Sequence, residues 1–301
     1  MIIVHIGYPK TATTTLQRGI VKFNNDINYI GKDYKEDLLN FIYGYNNLSN
    51  REIISFFKGT KNTFISNEEL SINPNIDLII NNIKKIANIS NDNIKIVISI
   101  RNHADLIFSL YVQLLMGIKK QPSEYLREYI EKEKHKDYFG LFFFYKNITK
   151  FAEAFGKENI EIIFYEDLKN DRNFYIKRWS EILEVKKEII DSIFLQEFNK
   201  KKKTDKGYLR KLDLGIIIGN IIYATNFIEV YRRYLKKVDF IKNIFKKSYK
   251  AMLNISLGEK EFKKFTQEER DIIKSIYRDD TLKLIKTFNL DENKFKKYSY
   301  L

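Results

Sequence analysis

The first seventeen residues constrain this chain more than any other stretch: Met-Ile-Ile-Val-His-Ile-Gly-Tyr-Pro-Lys-Thr-Ala-Thr-Thr-Thr-Leu-Gln. An apolar run over 2–6 breaks at Gly7 and Pro9 and resumes as a helical pattern from about Thr13, so the stretch reads strand, tight loop, helix. The first amides of such a helix have no intrahelical acceptor and carry the positive end of its dipole. Lys10 adds a full charge, and Thr11, Thr13, Thr14 and Thr15 add hydroxyl donors. A phosphate placed there is held from several directions, which points to a nucleotide. The competing reading is a Thr-rich helix start with a solvated lysine.

The ordinary NTP-binding loop, G-x-x-x-x-G-K-[ST], does not fit. With Lys10 and Thr11 aligned on its Lys-Ser/Thr pair, the required glycines fall on Val4 and Pro9. Residue for residue, the segment from His5 through Pro9-Lys10-Thr11-Ala12-Thr13-Thr14-Thr15 to Gln17 resembles the 5′-phosphosulfate loop of sulfotransferases that use 3′-phosphoadenosine 5′-phosphosulfate (PAPS). That resemblance implies that Lys10, Thr11, Ala12, Thr13, Thr14 and Thr15 bind the cofactor. Ala12 departs from the Gly or Ser usual in the family. An alanine lets a phosphate approach, unless its position needs a positive φ.

A second segment, Ile98-Ser99-Ile100-Arg101-Asn102-His103-Ala104-Asp105-Leu106-Ile107-Phe108-Ser109, resembles the family's strand-Arg-helix-Ser element for the 3′-phosphate. Arginine suits that role because its planar fork gives two parallel hydrogen bonds to one phosphate. The resemblance assigns Arg101 and Ser109 to this grip, with His103 where the family usually has Pro; alone, an arginine after a strand also reads as a surface ion pair. Residues 160–168 resemble a further strand and turn of the family, which lays Tyr165 against the adenine. The other reading is a tyrosine packed at a strand end, with Glu166 capping a helix. Residues 276–280 and the Tyr-rich ending resemble the close of bacterial members. For the family's mobile Lys/Arg/Gly loop, residues 200–210 are the candidate, with Lys203, Lys206 and Gly207; a lysine run also reads as a solvated face.

Along the chain, residues 24–50 read as connecting structure, 51–58 as a short helix and 62–66 as a strand ending on Asn67-Glu68-Glu69. After Pro74, Ile76, Ile79, Ile80, Ile83 and Ile86 recur at helical spacing. Residues 93–100 form a β-branched strand that runs into a helix; 142–155 read as helix and 160–164 as strand. Strands followed at once by helices predict an α/β fold, a parallel β-sheet flanked by helices, and the family resemblance implies its P-loop NTPase-like form. Beyond about residue 170 the pattern reads helical (174–183, 187–198, and one amphipathic helix after Gln267 before an irregular Tyr-rich tail). The simplest organisation is a single domain over 1–301, with about 200–301 a mainly helical elaboration.

Composition narrows the function classes. A formal charge of +14 implies an anionic partner: nucleic acid, acidic glycan, membrane surface or polyanionic cofactor. With no cysteine there is no disulfide, thiol nucleophile or Cys-ligated metal. Three scattered histidines, His5, His103 and His135, argue against a zinc site, so no metal is expected. No basic leader with a small-residue cleavage site is visible, so the expected location is cytoplasmic. The apolar stretch 212–228 contains Asp213, Asn220 and Asn226 and is short for a span, which leaves a buried helix or a peripheral membrane-surface contact.

The resemblance implies sulfuryl transfer from PAPS to a hydroxyl or amine, leaving 3′,5′-ADP (PAP). As in phosphoryl transfer, the protein positions the reactants and stabilises charge. Lys10 would neutralise the departing 5′-phosphate oxygen. Glu68, in Ile65-Ser66-Asn67-Glu68-Glu69-Leu70, is the expected general base, with Glu69 the near competitor and His5 a distant one. Glycans, glycolipid precursors and small metabolites are the candidate acceptors. The rival classes are a P-loop-like nucleotide kinase, which lacks its glycines here, and a basic nucleic-acid-binding protein, which lacks a recognised motif.

Overall fold

A computed structural model describes the chain except at residues 24–25, 33, 58–61, 115–120, 132–137, 196–201, 204–206 and 214–255. Its organising element is a five-stranded, all-parallel sheet in the order β2-β3-β1-β4-β5, formed by β1 (Ile2–His5), β2 (Asn28–Gly31), β3 (Thr63–Ser66), β4 (Ile94–Ile100) and β5 (Ile160–Phe164). Register aligns His5 with Ser66 on one side and with Val97 on the other. Parallel strands covered on both faces read as unbroken apolar runs. Here Ile-Ile-Val, Phe-Ile and Ile-Val-Ile-Ser-Ile are buried throughout, as that rule requires.

The described residues fall into two compact units. The first comprises Met1–Leu106, Tyr138–Phe198 and Lys274–Leu301, and the second Ile107–Asp137 and Asn199–Ile273. In the first, alternate residues Ile3, Phe64, Val97 and Ile163 of the sheet meet α1 (Thr13–Ile20), α9 (Arg172–Leu183) and α10 (Lys187–Leu195) around Trp179. A Cβ at Gly19 would come within 2.5 Å of Ile193 Cγ2, so glycine sets how closely α1 meets α10. On β4 and β5 lies α7 (Phe144–Phe155), which meets α4 (Ile76–Ser90), whose buried face is the isoleucine stripe read from the sequence. Completing the helices of this part are α2 (Glu36–Ile42), α3 (Asn50–Ser55), the short α8 (Asp167–Asn170) and α12 (Glu292–Lys297).

The second unit holds a three-stranded antiparallel sheet, β6 (Lys202–Lys203), β7 (Gly207–Asp213) and β8 (Ser256–Lys263), and α6 (Pro122–Glu131). Gln121 bonds the β8 backbone twice: its amide donates to the Glu261 carbonyl (3.1 Å), and its carbonyl accepts from the Lys263 amide (3.1 Å). Two long helices, α5 (His103–Leu114) and α11 (Gln267–Phe288), complete the described structure.

Three sequence expectations differ from these elements. Residues 24–50 contain β2 and α2, where connecting structure is expected. Residues 202–213 and 256–263 form strands in a region read as helical, and Lys203 and Gly207 lie in those strands. The Tyr-rich tail is ordered, with α12 followed by buried Tyr298 and Tyr300. Lys206, His135 and residues 214–228 of the apolar stretch lie outside the described residues. No described helix is long and apolar enough to cross a membrane.

Candidate active site

Because every strand of the main sheet runs the same way, the carboxyl ends of β1, β3, β4 and β5 share one edge. The strand order turns back beside β1, the position where open α/β sheets collect ligands. After β1 the chain keeps alongside β4, through Ile6 N–H to the Val97 carbonyl and Tyr8 N–H to the Ser99 carbonyl (both 2.9 Å). Gly7 is required at that step, since a Cβ would lie 2.4 Å from His5 Nε2. Lys10 and Ala12 then both adopt left-handed backbone, with φ of 67° and 65°.

Ala12 therefore occupies the conformation that the sequence flags as costly for alanine, by about 1–2 kcal/mol. Its neighbours hold it there. Thr11 Oγ1 donates to the Tyr8 carbonyl at 2.6 Å and meets Thr13 Oγ1 at 3.1 Å. Those two buried hydroxyls shape the loop, which leaves Thr14 and Thr15 as the hydroxyls with no bond to a described group. The backbone amides of Thr11, Ala12, Thr13 and Thr14 likewise donate to no described protein group. Four consecutive donors at a helix start, beside a lysine, form an anion cradle.

Arg101 follows β4 directly, and its Nη1 donates to the Lys10 carbonyl at 2.9 Å. The Arg101 turn and the Lys10 loop are thus in contact. Arg101 Nε is buried without a partner, and no carboxylate forms an ion pair with the guanidinium among the described residues. A buried donor left unmet costs about 1–3 kcal/mol, so the site favours a bound acceptor there. Beneath the guanidinium lies the Tyr165 ring, 4.7 Å from its carbon, with Lys169 Nζ 5.0 Å from the same ring. Tyr165 continues β5, its amide donating to the Ile100 carbonyl at 2.9 Å.

Glu68 stands past the end of β3 on a single turn, Glu68–Leu70, capped by the Asn67 side chain. The Asn67 amide ties this turn to the His5 carbonyl at 3.1 Å. Burial pushes the Glu68 carboxyl above its ordinary value; Lys10 and Lys32 pull it down in part, while Glu69 adds to the rise. Lys10 is close enough to influence this carboxyl, so loop and base candidate share one edge.

His5 belongs to the core. Nδ1 meets Ser66 Oγ at 3.0 Å, Nε2 meets Ser99 Oγ at 2.9 Å, and Trp179 lies edge-on at 5.1 Å. Burial lowers its pKa to about 3, so it stays neutral. His103 is also buried, stacked between Phe144 and Tyr277. Ser109 lies in the second unit on α5; Lys10, Arg101, Tyr165 and Glu68 lie in the first.

Sequence reasoning missed the scaffold behind Arg101. Asn102 caps α5 through its side chain, which accepts from the Asp105 amide (3.2 Å), and its own amide donates to Glu166 Oε1 at 2.8 Å. Its side-chain amide donates to the Tyr298 carbonyl (3.0 Å) and to that of Ser299. The N-cap spelling Asn-x-x-Asp before an apolar helix is a signal that identifies Asn102; the tail contacts have no local one.

A family model described as a sulfotransferase domain matches residues 2–212. Among solved structures, a sulfotransferase from Alicyclobacillus acidocaldarius shares the fold over 98% of both chains, with a TM-score of 0.52 and 13% identity. A mouse sulfotransferase, SULT7A1, complexed with PAP is similar over 68% of each chain (TM-score 0.42, 16% identity). The sulfotransferase domain from the curacin biosynthetic pathway is similar over 66% of this chain and 78% of its own (TM-score 0.36, 13% identity). Among curated proteins none matches in sequence. The family model covers well over half of the 301 residues, and the chain belongs to the sulfotransferase domain family.

Proposed function

We propose that this chain transfers a sulfuryl group from PAPS to a hydroxyl or amine of its acceptor, with Glu68 as general base. The observation that supports the reading is the Arg101–Lys10 hydrogen bond, which sets the two candidate anion grips side by side. A doubly phosphorylated adenosine fits the donor set: four amides with Lys10 for one phosphate, the orphaned Arg101 Nε for the other. Bound PAPS supplies an activated sulfuryl group on a phosphate leaving group.

Lys10 and the amides of Thr11, Ala12, Thr13 and Thr14 hold the 5′ end and offset negative charge there, in a fixed geometry that needs no reorganisation. Arg101 holds the 3′ end, with Tyr165 as the platform beneath it. Glu68 takes the acceptor's proton on its carboxylate; its raised pKa suits it to that task, because a stronger base accepts a proton more readily. The acceptor belongs to the class of glycans, glycolipid precursors or small metabolites, and the +14 charge suits an acidic one or one at an anionic membrane surface. On this reading residues 1–301 work as one cytoplasmic sulfotransferase domain.

A thermal-shift titration tests the proposal. At a hundredfold excess over Kd, 3′,5′-ADP without magnesium should raise Tm by roughly 5 °C. A shift with Mg-ATP and none with 3′,5′-ADP would refute it in favour of a nucleotide kinase.

A further inference from the structure

Behind Arg101 lies a half-buried carboxylate that does not pair with it. Glu166 Oε1 accepts from the Asn102 amide (2.8 Å), and Oε2 accepts from the Tyr300 hydroxyl (3.0 Å). Arg101 precedes Asn102 in the chain, and Tyr165, which precedes Glu166, lies 4.7 Å beneath the guanidinium. Arg101 is near enough to pull the Glu166 carboxyl electrostatically, yet no ion pair joins the two. An arginine with an unmet buried donor and a half-buried carboxylate beside it would ordinarily close on each other. Here each carboxylate oxygen instead accepts from another donor, the Asn102 amide and the Tyr300 hydroxyl.

Tyr300 is held firmly enough to act this way. After α12 the chain turns through Ser299 in left-handed conformation (φ 60°), and the Tyr300 amide reaches back to the Phe295 carbonyl at 2.9 Å. That is a Schellman turn, with its apolar contact between Tyr300 and Phe295 at 5.2 Å between ring centres. The Tyr300 ring also meets Phe164 edge-on at 5.8 Å and is wholly buried. Asp167, next to Glu166, bonds Tyr298 Oη and Lys294 Nζ, both at 2.7 Å, so the segment is fastened at neighbouring points.

We infer that Tyr300 is a positioning residue for the Arg101 anion grip: by holding the Glu166 carboxylate it prevents an Arg101–Glu166 ion pair and keeps the guanidinium available to a nucleotide's 3′-phosphate. The inference rests on the PAPS reading above. It adds a residue nearly two hundred positions from Arg101, and it assigns Glu166 the part of a restrained competitor for the same cation.

Calorimetric titration of 3′,5′-ADP and 5′-AMP into wild type, Tyr300→Phe, Glu166→Gln and the double variant tests it. The ratio of the two affinities isolates the 3′-phosphate. Wild type should prefer 3′,5′-ADP; Tyr300→Phe should cut that preference about tenfold while 5′-AMP binding stays the same. Glu166→Gln should keep or raise the preference, and adding Tyr300→Phe to it should change nothing, since no carboxylate is left to release. Equal weakening of both nucleotides by Tyr300→Phe, or the same loss in the Glu166→Gln background, would mean a packing role and overturn the inference. If Tyr300→Phe does not fold, loss of the preference in Glu166→Gln overturns it instead. A wild-type chain with no preference refutes the PAPS reading, and this inference with it.

Discussion

Replacing His103 by Phe should remove a large part of the chain's sensitivity to acid. The ring is stacked between Phe144 (4.4 Å) and Tyr277 (4.0 Å), its Nε2 meets the Phe142 carbonyl at 3.1 Å, and its Nδ1 is buried without a partner. Burial lowers its pKa from 6.5 to about 3, against a smaller opposing pull from the Phe142 carbonyl. Below pH 6.5 the unfolded chain therefore takes up a proton that the folded chain refuses until about pH 3. The stability is complete above the unfolded pKa and drains as pH falls, by up to about 1.4 kcal/mol per pH unit.

Between about pH 7.5 and about pH 5 this one histidine costs roughly 2 kcal/mol, and His5, lowered likewise, costs a similar amount. Asp280 acts in the opposite sense. It caps α7 by accepting from the Tyr145 and Lys146 amides, and burial raises its pKa to about 6, so the folded chain gains a proton there first. Its offset is about 1.4 kcal/mol at about pH 5. Urea denaturation of wild type and His103→Phe at the two pH values isolates the histidine. The variant should start about 1 kcal/mol less stable, through loss of the Phe142 bond, and then lose roughly 2 kcal/mol less than wild type on acidification. Parallel losses in the two proteins would refute the reasoning.

Three further substitutions bear on the site. Glu68→Gln should lower turnover by roughly two to four orders of magnitude while leaving 3′,5′-ADP affinity nearly unchanged; unaltered turnover would remove Glu68 from the base role. Because burial raises the Glu68 pKa from its ordinary value, wild-type kcat/KM should decline with falling pH before an exposed glutamate would titrate, a limb absent from Glu68→Gln. Ala12→Gly should relieve the left-handed strain, partly cancelled by greater unfolded-state entropy, for a net gain of up to about 1 kcal/mol in urea denaturation. Lys10→Ala should weaken both 3′,5′-ADP binding and turnover; loss of neither would argue against the loop.

How much of this was legible in the sequence follows from where each element finds its hydrogen-bond and packing partners. β1 and most of β4 are apolar runs buried on both faces, β5 is a largely apolar edge strand, and each runs into a motif at the same sheet edge, so strand and motif predict each other. β2 has no such run. Asn28 sits in it because its side-chain amide donates to the Phe56 carbonyl (2.7 Å) and Thr63 Oγ1 (3.0 Å), partners that only the assembled sheet supplies. β6 hides its pairing for a related reason: it lies in the lysine run 200–203, whose spelling is also that of a solvated face.

Within the candidate site, the placement of Lys10, Arg101 and Glu68 past the carboxyl ends of their strands was legible. The division of labour among the threonines was not, since it depends on the Tyr8 carbonyl turning back onto Thr11. Tyr300 was harder still. Nothing near it in sequence indicates that it reaches Glu166, 134 positions away.

On the proposed reading the Lys10 loop and Arg101 hold the two ends of one nucleotide. A crystal structure with 3′,5′-ADP tests it most directly. The 5′-phosphate should lie on the amides of Thr11, Ala12, Thr13 and Thr14, and the 3′-phosphate on Arg101. A nucleotide bound elsewhere, or one whose 3′-phosphate lies in solvent while Arg101 pairs with Glu166, would contradict it.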